Sequence, residues 1–413
     1  MKERMTKTRF LILGGGMVAG YAAKELAEHG LKSGELAIVS SDDALPYERP
    51  PLSKGFLAGK DTEDAILINQ PDFYGSHGVE VKLNTTIETV DVEKQTLRSS
   101  SGEEFGFEKL VLATGCVPRK LDCPGADLPG VFYLRVLDDS KTIRDHAAQA
   151  KRAVMVGGGF IGMEVASVLA QKNIETTMVV REDRIWKRFF TPRMSSFFEK
   201  YYTDRGVRIL KQSGIKKLEG GDSLKNAVLD GGEKVACSLL VAGLGATPVT
   251  ALFKPAGFKL DNGVVVNQSL ATNHQNIYAA GDIANYPDAI FEKRRRVEHW
   301  DNAVSQGQYC ARALSGEHQP YVHVPYFFSD VFDLSYELWG DPEEGSDTVI
   351  RGDAETSSFS VWWLKNDRLV AVFAMNRPDD EREAAPKWIE SKQLLSPVRL
   401  REQTRSVQDA VQD

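Results

Sequence analysis

Two stretches of this chain carry the same spacing of small residues. They are Gly14-x-Gly16-x-x-Ala19 in RFLILGGGMVAGYAAKELAEHG and Gly157-x-Gly159-x-x-Gly162 in RAVMVGGGFIGMEVASVLAQKN. In such a turn the first glycine permits the tight bend, the second lets backbone approach a pyrophosphate, and the third small residue lets a helix pack closely. The helix that follows offers oriented N–H groups and the positive end of its dipole to phosphate. An acid at the end of the next strand accepts hydrogen bonds from an adenosine ribose. ELAIVSSDD offers Asp42 or Asp43 after the first copy, and ETTMVVRED offers Glu182 after the second. Both stand slightly beyond the usual interval of about 20 residues, which a longer helix–strand loop absorbs. Two dinucleotide sites on one chain point to a bound flavin and a visiting nicotinamide.

The elements that must position these residues are legible around them. Each copy opens with a short β-branched apolar run and continues with apolar residues at helical spacing, the start of a βαβ unit. The first strand is expected from about Arg9. Past Pro320 the texture changes: SSFSVWWLKNDRLVAVFAMN, residues 357 to 376, reads as strand, turn and strand, with KND as the turn. From about Pro386 the tail has helical spacing and ends polar, which predicts a solvated helix.

A chain of 413 residues is long enough for two or three domains. Its hydrophobic content of 42% and charged content of 26% are those of a soluble globular protein. The net charge of -7 argues against nucleic acid as the main partner. MKERMTKT is too short and polar for a signal peptide, and no run approaches the roughly 18 apolar residues of a membrane span. A cytoplasmic protein without a membrane partner is expected. Cys116, Cys123, Cys237 and Cys310 form no C-x-x-C or other close pair, so disulfide reduction is not the expected chemistry.

LPYERPPLSK, LVLATGCVPR, GGGFIGMEVA, VAGLGATPVT, IYAAGDIA and RVEHWDNAVSQGQ stand in the order seen in flavoprotein reductases with two dinucleotide domains. The chain resembles the branch that holds NADH-dependent ferredoxin reductases, monodehydroascorbate reductase and apoptosis-inducing factor, which passes electrons outward without a redox disulfide. The resemblance implies an α/β architecture of two Rossmann-like, glutathione-reductase-like dinucleotide domains plus a C-terminal α/β domain. The FAD domain would comprise residues 1–115 and 245–320, the NAD domain 116–244 and the C-terminal domain 321–413.

The same resemblance assigns site residues. On the FAD side it implies Gly14, Gly16, Ala19, Asp42, Arg49, Lys54, Ala113, Thr114, Gly115, Arg119, Gly281, Asp282, Glu298, His299, Trp300 and Phe328. On the NAD side it implies Gly157, Gly159, Phe160, Ile161, Gly162, Glu164, Glu182, Gly243, Leu244 and Gly245. Lys54, Glu164 and Trp300 are the expected catalytic set, and no metal is expected. Relatives pair a lysine like Lys54 with a carboxylate like Glu164 beside the flavin. An ammonium there stabilises the negative charge that arrives with hydride, and the carboxylate keeps it charged and oriented. On the competing reading Glu164 serves its own helix dipole. Trp300 is expected to shield the flavin, while His299 is expected as a contact rather than an acid.

Glu182 would accept a ribose 2′-hydroxyl and repel a 2′-phosphate, favouring NADH, although Arg181 and Arg184 beside it suit NADPH. VPYFFSDVFDLSYELWGD, residues 324 to 341, is similar to both candidate subfamilies. Monodehydroascorbate reductases carry tyrosine and arginine where Phe328 and Asp330 stand, and ferredoxin reductases favour tryptophan at Phe328. The basic run Lys293 to Arg296 is expected to steer an acidic partner. A separate ferredoxin-type protein is therefore the first expected acceptor and the monodehydroascorbate radical the second. A redox-sensing interaction protein like apoptosis-inducing factor is the third reading.

Overall fold

The computed structural model describes residues 7–317 and 319–412. It is a mixed α/β fold in two compact units. Of the described residues, the first comprises 7–49, 62–117, 246–317 and 319–323, and the second 50–61, 118–245 and 324–412. Three helices position most candidate residues: α1 (Met17–Glu28), α2 (Phe160–Gln171) and α3 (Trp300–Ser315).

In the first unit the strand Lys7–Leu13 lies between Leu36–Val39 and Glu104–Leu112, parallel to both, and Ile277–Ala279 adds parallel to the last. Its core segments read as continuous apolar runs because parallel strands are covered on both faces; all four residues of Leu36–Val39 are buried. Antiparallel strands Thr96–Ser99 and Ile87–Asp91 extend the far edge. The strand begins at Lys7, two residues ahead of the expected start.

The second unit holds a fully parallel five-stranded sheet, in the order Arg208–Leu210, Glu175–Val179, Arg152–Val156, Leu239–Ala242, Val131–Phe132. It also holds a five-stranded antiparallel sheet ordered Tyr326–Val331, Leu334–Gly340, Arg368–Met375, Ser358–Lys365, Asp347–Asp353. The expected hairpin turns at Asn366 and Asp367, both at positive φ (51° and 62°), the geometry that matches strand twist in a two-residue loop.

The C-terminal segment differs from expectation. Its helix runs Asp379–Glu390, starting under three acids that suit a helix N-terminus, and Pro386 lies inside it. Beyond it the chain does not continue as a solvated helix. Leu395, Leu400, Val407 and Ala410 are buried, and Arg351 ties the segment down by donating to the carbonyls of Leu400 (2.6 Å) and Arg405 (2.7 Å). Among the described residues no helix is long and apolar enough to cross a membrane.

Candidate functional site

The first glycine turn is built as a cradle. Gly14 takes φ +120°, and a Cβ there would stand 2.3 Å from the Ala113 carbonyl oxygen, so only glycine fits. Ala19 is fully buried, yet the tighter approach is one residue later: a Cβ on Gly20 would meet Ile68 at 2.6 Å. Gly16 opens α1 with no side-chain cap, and the Arg49 guanidinium lies 3.6 Å from where its Cβ would be. An uncapped helix start beside a guanidinium has the donors and charge that could hold a phosphate anion.

The remaining candidates of this unit surround other segments. Asp42 accepts the Tyr47 hydroxyl at 2.9 Å and the Ala44 N–H at 3.4 Å, which fixes its loop, whereas Asp43 is exposed. Ala113 donates its N–H to Leu13, Thr114 donates its hydroxyl to the Val249 carbonyl, and Gly115 sits at φ 65°. Gly281, at φ 76°, donates its N–H to Gln306 at 2.7 Å, and Asp282 follows in a short 3-10 turn.

Trp300 is the first residue of α3, and His299 is its N-cap, its ring Nδ1 accepting the Asp301 N–H at 3.4 Å. The Trp300 indole donates to Glu48 at 2.5 Å, and the Tyr21 hydroxyl donates to the other oxygen of Glu48 at 2.5 Å. Glu48 was invisible to sequence reasoning; its place beside Arg49 in YERPPLSK is the one signal that pointed near it.

The arginines of the basic run are tied into the fold, although Arg294 remains exposed. Arg294 donates to the carbonyls of Val266 and Asn285, Arg295 pairs with buried Asp288 at 2.9 Å, and Arg296 turns inward to Glu298 at 2.6 Å. Arg296 also donates to the Asp282 carbonyl at 3.0 Å and the Cys116 sulfur at 3.1 Å. Desolvating an arginine requires such partners, and these were spread too widely along the chain to be read from it. All four cysteines are free, and only Cys123 is part-exposed.

In the second unit a Cβ on Gly157 would stand 2.2 Å from the Gly243 carbonyl oxygen, and one on Gly162 2.2 Å from the Gly157 carbonyl oxygen. Gly159 opens α2 without a side-chain cap and has nothing within 4 Å of its Cβ position. The turn is therefore closed where it packs and open where a ligand's backbone contact belongs. Phe160 stacks on Phe327 at 5.9 Å between ring centres, while Ile161 is 38% exposed. Leu244 is part-buried and packs against the core beneath the sheet. Gly245, at φ 84°, accepts the N–H of exposed Arg119 at 2.9 Å.

Glu182 and Arg181 are exposed. Arg184 instead donates to the carbonyls of Lys187 (3.0 Å) and Phe190 (3.2 Å).

Lys54 and Glu164 meet in this unit, although they stand 110 positions apart in the sequence. The ammonium stands 3.5 Å from Glu164 and 3.1 Å from half-exposed Asp330, and 4.2 Å from the centre of the Phe328 ring. Glu164 is 5% exposed. Burial raises its carboxyl above the usual carboxylate range, against the Lys54 charge and the hydroxyls of Ser329 and Ser53, which pull it down. Ser53 is not picked out by sequence, and Ser329 stands out there only as part of a Ser-Asp pair shared with ferredoxin reductases, not as a partner of Glu164.

Residues 8–307 match the family described as pyridine nucleotide-disulphide oxidoreductase, and residues 326–411 match the reductase C-terminal family. A monodehydroascorbate reductase of Solanum lycopersicum is 35% identical over 411 residues, covering 92% of this chain and 93% of that protein. The crystal structure of a covalent putidaredoxin reductase–putidaredoxin complex superimposes with a TM-score of 0.93 at 28% identity, covering 98% of each chain. A ferredoxin reductase for the CYP199A2 system from Rhodopseudomonas palustris gives a TM-score of 0.89 at 30% identity, again over 98% of each chain.

Proposed function

We propose, because the chain belongs to the pyridine nucleotide-disulphide oxidoreductase family and is an FAD enzyme that uses a reduced nicotinamide nucleotide, that it carries electrons from NADH to a ferredoxin-type protein. FAD supplies the redox chemistry when bound, taking hydride from the nicotinamide and returning electrons to the acceptor. What the chain supplies is binding, orientation and electrostatics.

The Gly14 cradle, the α1 start and Arg49 are proposed to hold the FAD pyrophosphate, and Gly157, Gly159 and the α2 start that of NADH. Glu182 is proposed to take the ribose hydroxyls. NADH is preferred to NADPH because Arg184 spends its guanidinium on backbone carbonyls, leaving Arg181 alone to meet a 2′-phosphate. Lys54 is proposed to favour the reduced, more negative state, with Glu164 holding the ammonium in place.

One observation carries the choice of acceptor. Lys54 has two carboxylate neighbours, Glu164 and Asp330, so the cluster has an excess of negative charge. That disfavours a small anionic oxidant such as the monodehydroascorbate radical. A protein acceptor is placed by a broad surface and is less sensitive to one carboxylate.

A monodehydroascorbate reductase is the second reading, favoured by the 35% identity to the Solanum lycopersicum enzyme. The test measures NADH consumption with three acceptors in one buffer: ferricyanide, monodehydroascorbate generated in the cuvette, and a [2Fe–2S] ferredoxin relaying to cytochrome c. Fast ferricyanide and ferredoxin rates with a negligible radical rate support the first reading. A radical rate matching ferricyanide overturns it in favour of the second. Poor turnover of all three, with a long-lived charge-transfer band after NADH, rejects both.

A further inference from the structure

Both carboxylate oxygens of Glu164 face a serine hydroxyl. Ser329 donates to Oε1 at 2.6 Å, and Ser53 donates to Oε2. Ser53 closes the 3-10 turn Pro50–Ser53, and Ser329 lies within the strand Tyr326–Val331. They are 2% and 0% exposed, so water does not compete for these contacts. The alternative acceptor for Ser53 is the Pro50 carbonyl, at a longer 3.4 Å.

An ionised carboxylate only accepts hydrogen bonds, whereas a carboxylic acid must also donate one. Two hydroxyl donors on two different oxygens match the ionised form. A carboxylate this buried would otherwise take up a proton. The Lys54 charge opposes that first, and the two hydroxyls add to it from positions that the ammonium, 3.5 Å from Oε1, does not occupy.

We propose that Ser53 and Ser329 are positioning residues that clamp Glu164 as a carboxylate, leaving the Lys54 ammonium available to the reaction. The inference rests on the reading that the Lys54–Glu164 pair serves hydride transfer. Besides Lys54 and Asp330, the titratable groups around Glu164 are Tyr202 and Tyr336. Both phenols are buried and held far above their ordinary values by burial, so they stay neutral.

The test uses flavin-loaded protein and follows the infrared C=O stretch of a protonated carboxyl, assigned by its loss in Glu164→Gln. Ser53→Ala and Ser329→Ala should each move the titration midpoint of that band up by about one to two pH units, the worth of a hydrogen bond to a charged group. Ser329→Thr keeps the hydroxyl and should return the midpoint toward wild type. Unmoved midpoints in both alanine variants overturn the clamp, as does a threonine variant that titrates like alanine. The rate of flavin reduction by NADH is recorded across the same pH range. A midpoint that moves while that rate ignores pH leaves the clamp standing and removes the pair from hydride transfer.

Discussion

Trp300 and Tyr21 share one carboxylate: Glu48 accepts the indole N–H on one oxygen and the phenol on the other, each at 2.5 Å. Their rings meet edge to face, 6.5 Å between centres and 89° apart. Burial first, then the hydrogen bond and charge of Glu48, push the Tyr21 phenol far up, so it remains a donor at any working pH. Glu48→Ala should therefore cost about 1–3 kcal/mol in stability and shift the Trp300 fluorescence, while Tyr21→Phe costs less. Chemical denaturation followed by flavin release reads both. Equal effects from the two variants would show that Trp300 does not depend on Glu48.

The two glycine turns separate packing from binding. Gly14→Ala should yield colourless protein, because positive φ and a 2.3 Å approach to Ala113 leave no room for Cβ. Gly159→Ala should fold and stay yellow, since nothing stands within 4 Å of its Cβ, but should bind NADH at least about tenfold more weakly. Absorbance and NADH titration check the pair; a yellow Gly14→Ala protein would refute the first half.

Removing Lys54 should act on rate and on stability separately. Lys54→Met should slow flavin reduction by about 100-fold, the scale of losing one preorganised charge partner. It also strands Glu164, so the Lys54→Met, Glu164→Gln double variant should be more stable than Lys54→Met alone. Because burial raises the folded-state value of Glu164, the protonated carboxyl's advantage is complete below the unfolded value and is lost as pH rises through the folded one. Glu164→Gln does not titrate, so its stability relative to wild type should climb with pH across that window.

The C-terminal segment should loosen in acid. Glu381 is buried, which raises its carboxyl, but Arg377, Ser360 and Arg351 outweigh that and lower it overall. Its contribution is present above the unfolded value of about 4.3 and is lost as pH falls through the lower folded value. Arg351→Met should remove the anchor of Leu400 and Arg405 while leaving Glu381 paired with Arg377 and Ser360, cost about 1–3 kcal/mol, and expose residues 395–411 to hydrogen exchange. Unchanged exchange there would show that apolar burial alone holds the segment.

Nicotinamide choice is accessible to one substitution. Glu182→Arg should move the NADH to NADPH preference toward NADPH by about tenfold or more, by removing a repelling charge and adding a partner for Arg181. The ratio of kcat/KM for the two nucleotides checks it, and an unchanged ratio would place ribose recognition elsewhere.

The glycine turns were legible because their requirements are local: a bend, a close approach and a helix start within six residues. The Asn366–Asp367 hairpin was legible for the same reason. The clamp on Glu164 was not, because Ser53 and Ser329 lie 111 and 165 residues from it and nothing around either serine names its partner. The partners of the basic run were not legible because composition counts charges but not side-chain direction; Arg294 and Arg296 end on backbone carbonyls. The C-terminal helix was placed too late because its helical spacing was read only from about Pro386, whereas the acids from Asp379 onward mark the true start.

Helices α1 and α2 both begin at a glycine that offers no side chain to cap them. On the proposed reading their first N–H groups meet phosphate, and the nucleotide is then a structural part of each helix end. A bound dinucleotide then weighs on folding by mass action, in proportion to the logarithm of its concentration over its dissociation constant. A cell short of flavin would thus hold less of this protein, since chains that never acquire FAD remain exposed to proteolysis, and vitamin supply would set abundance before any reaction is run.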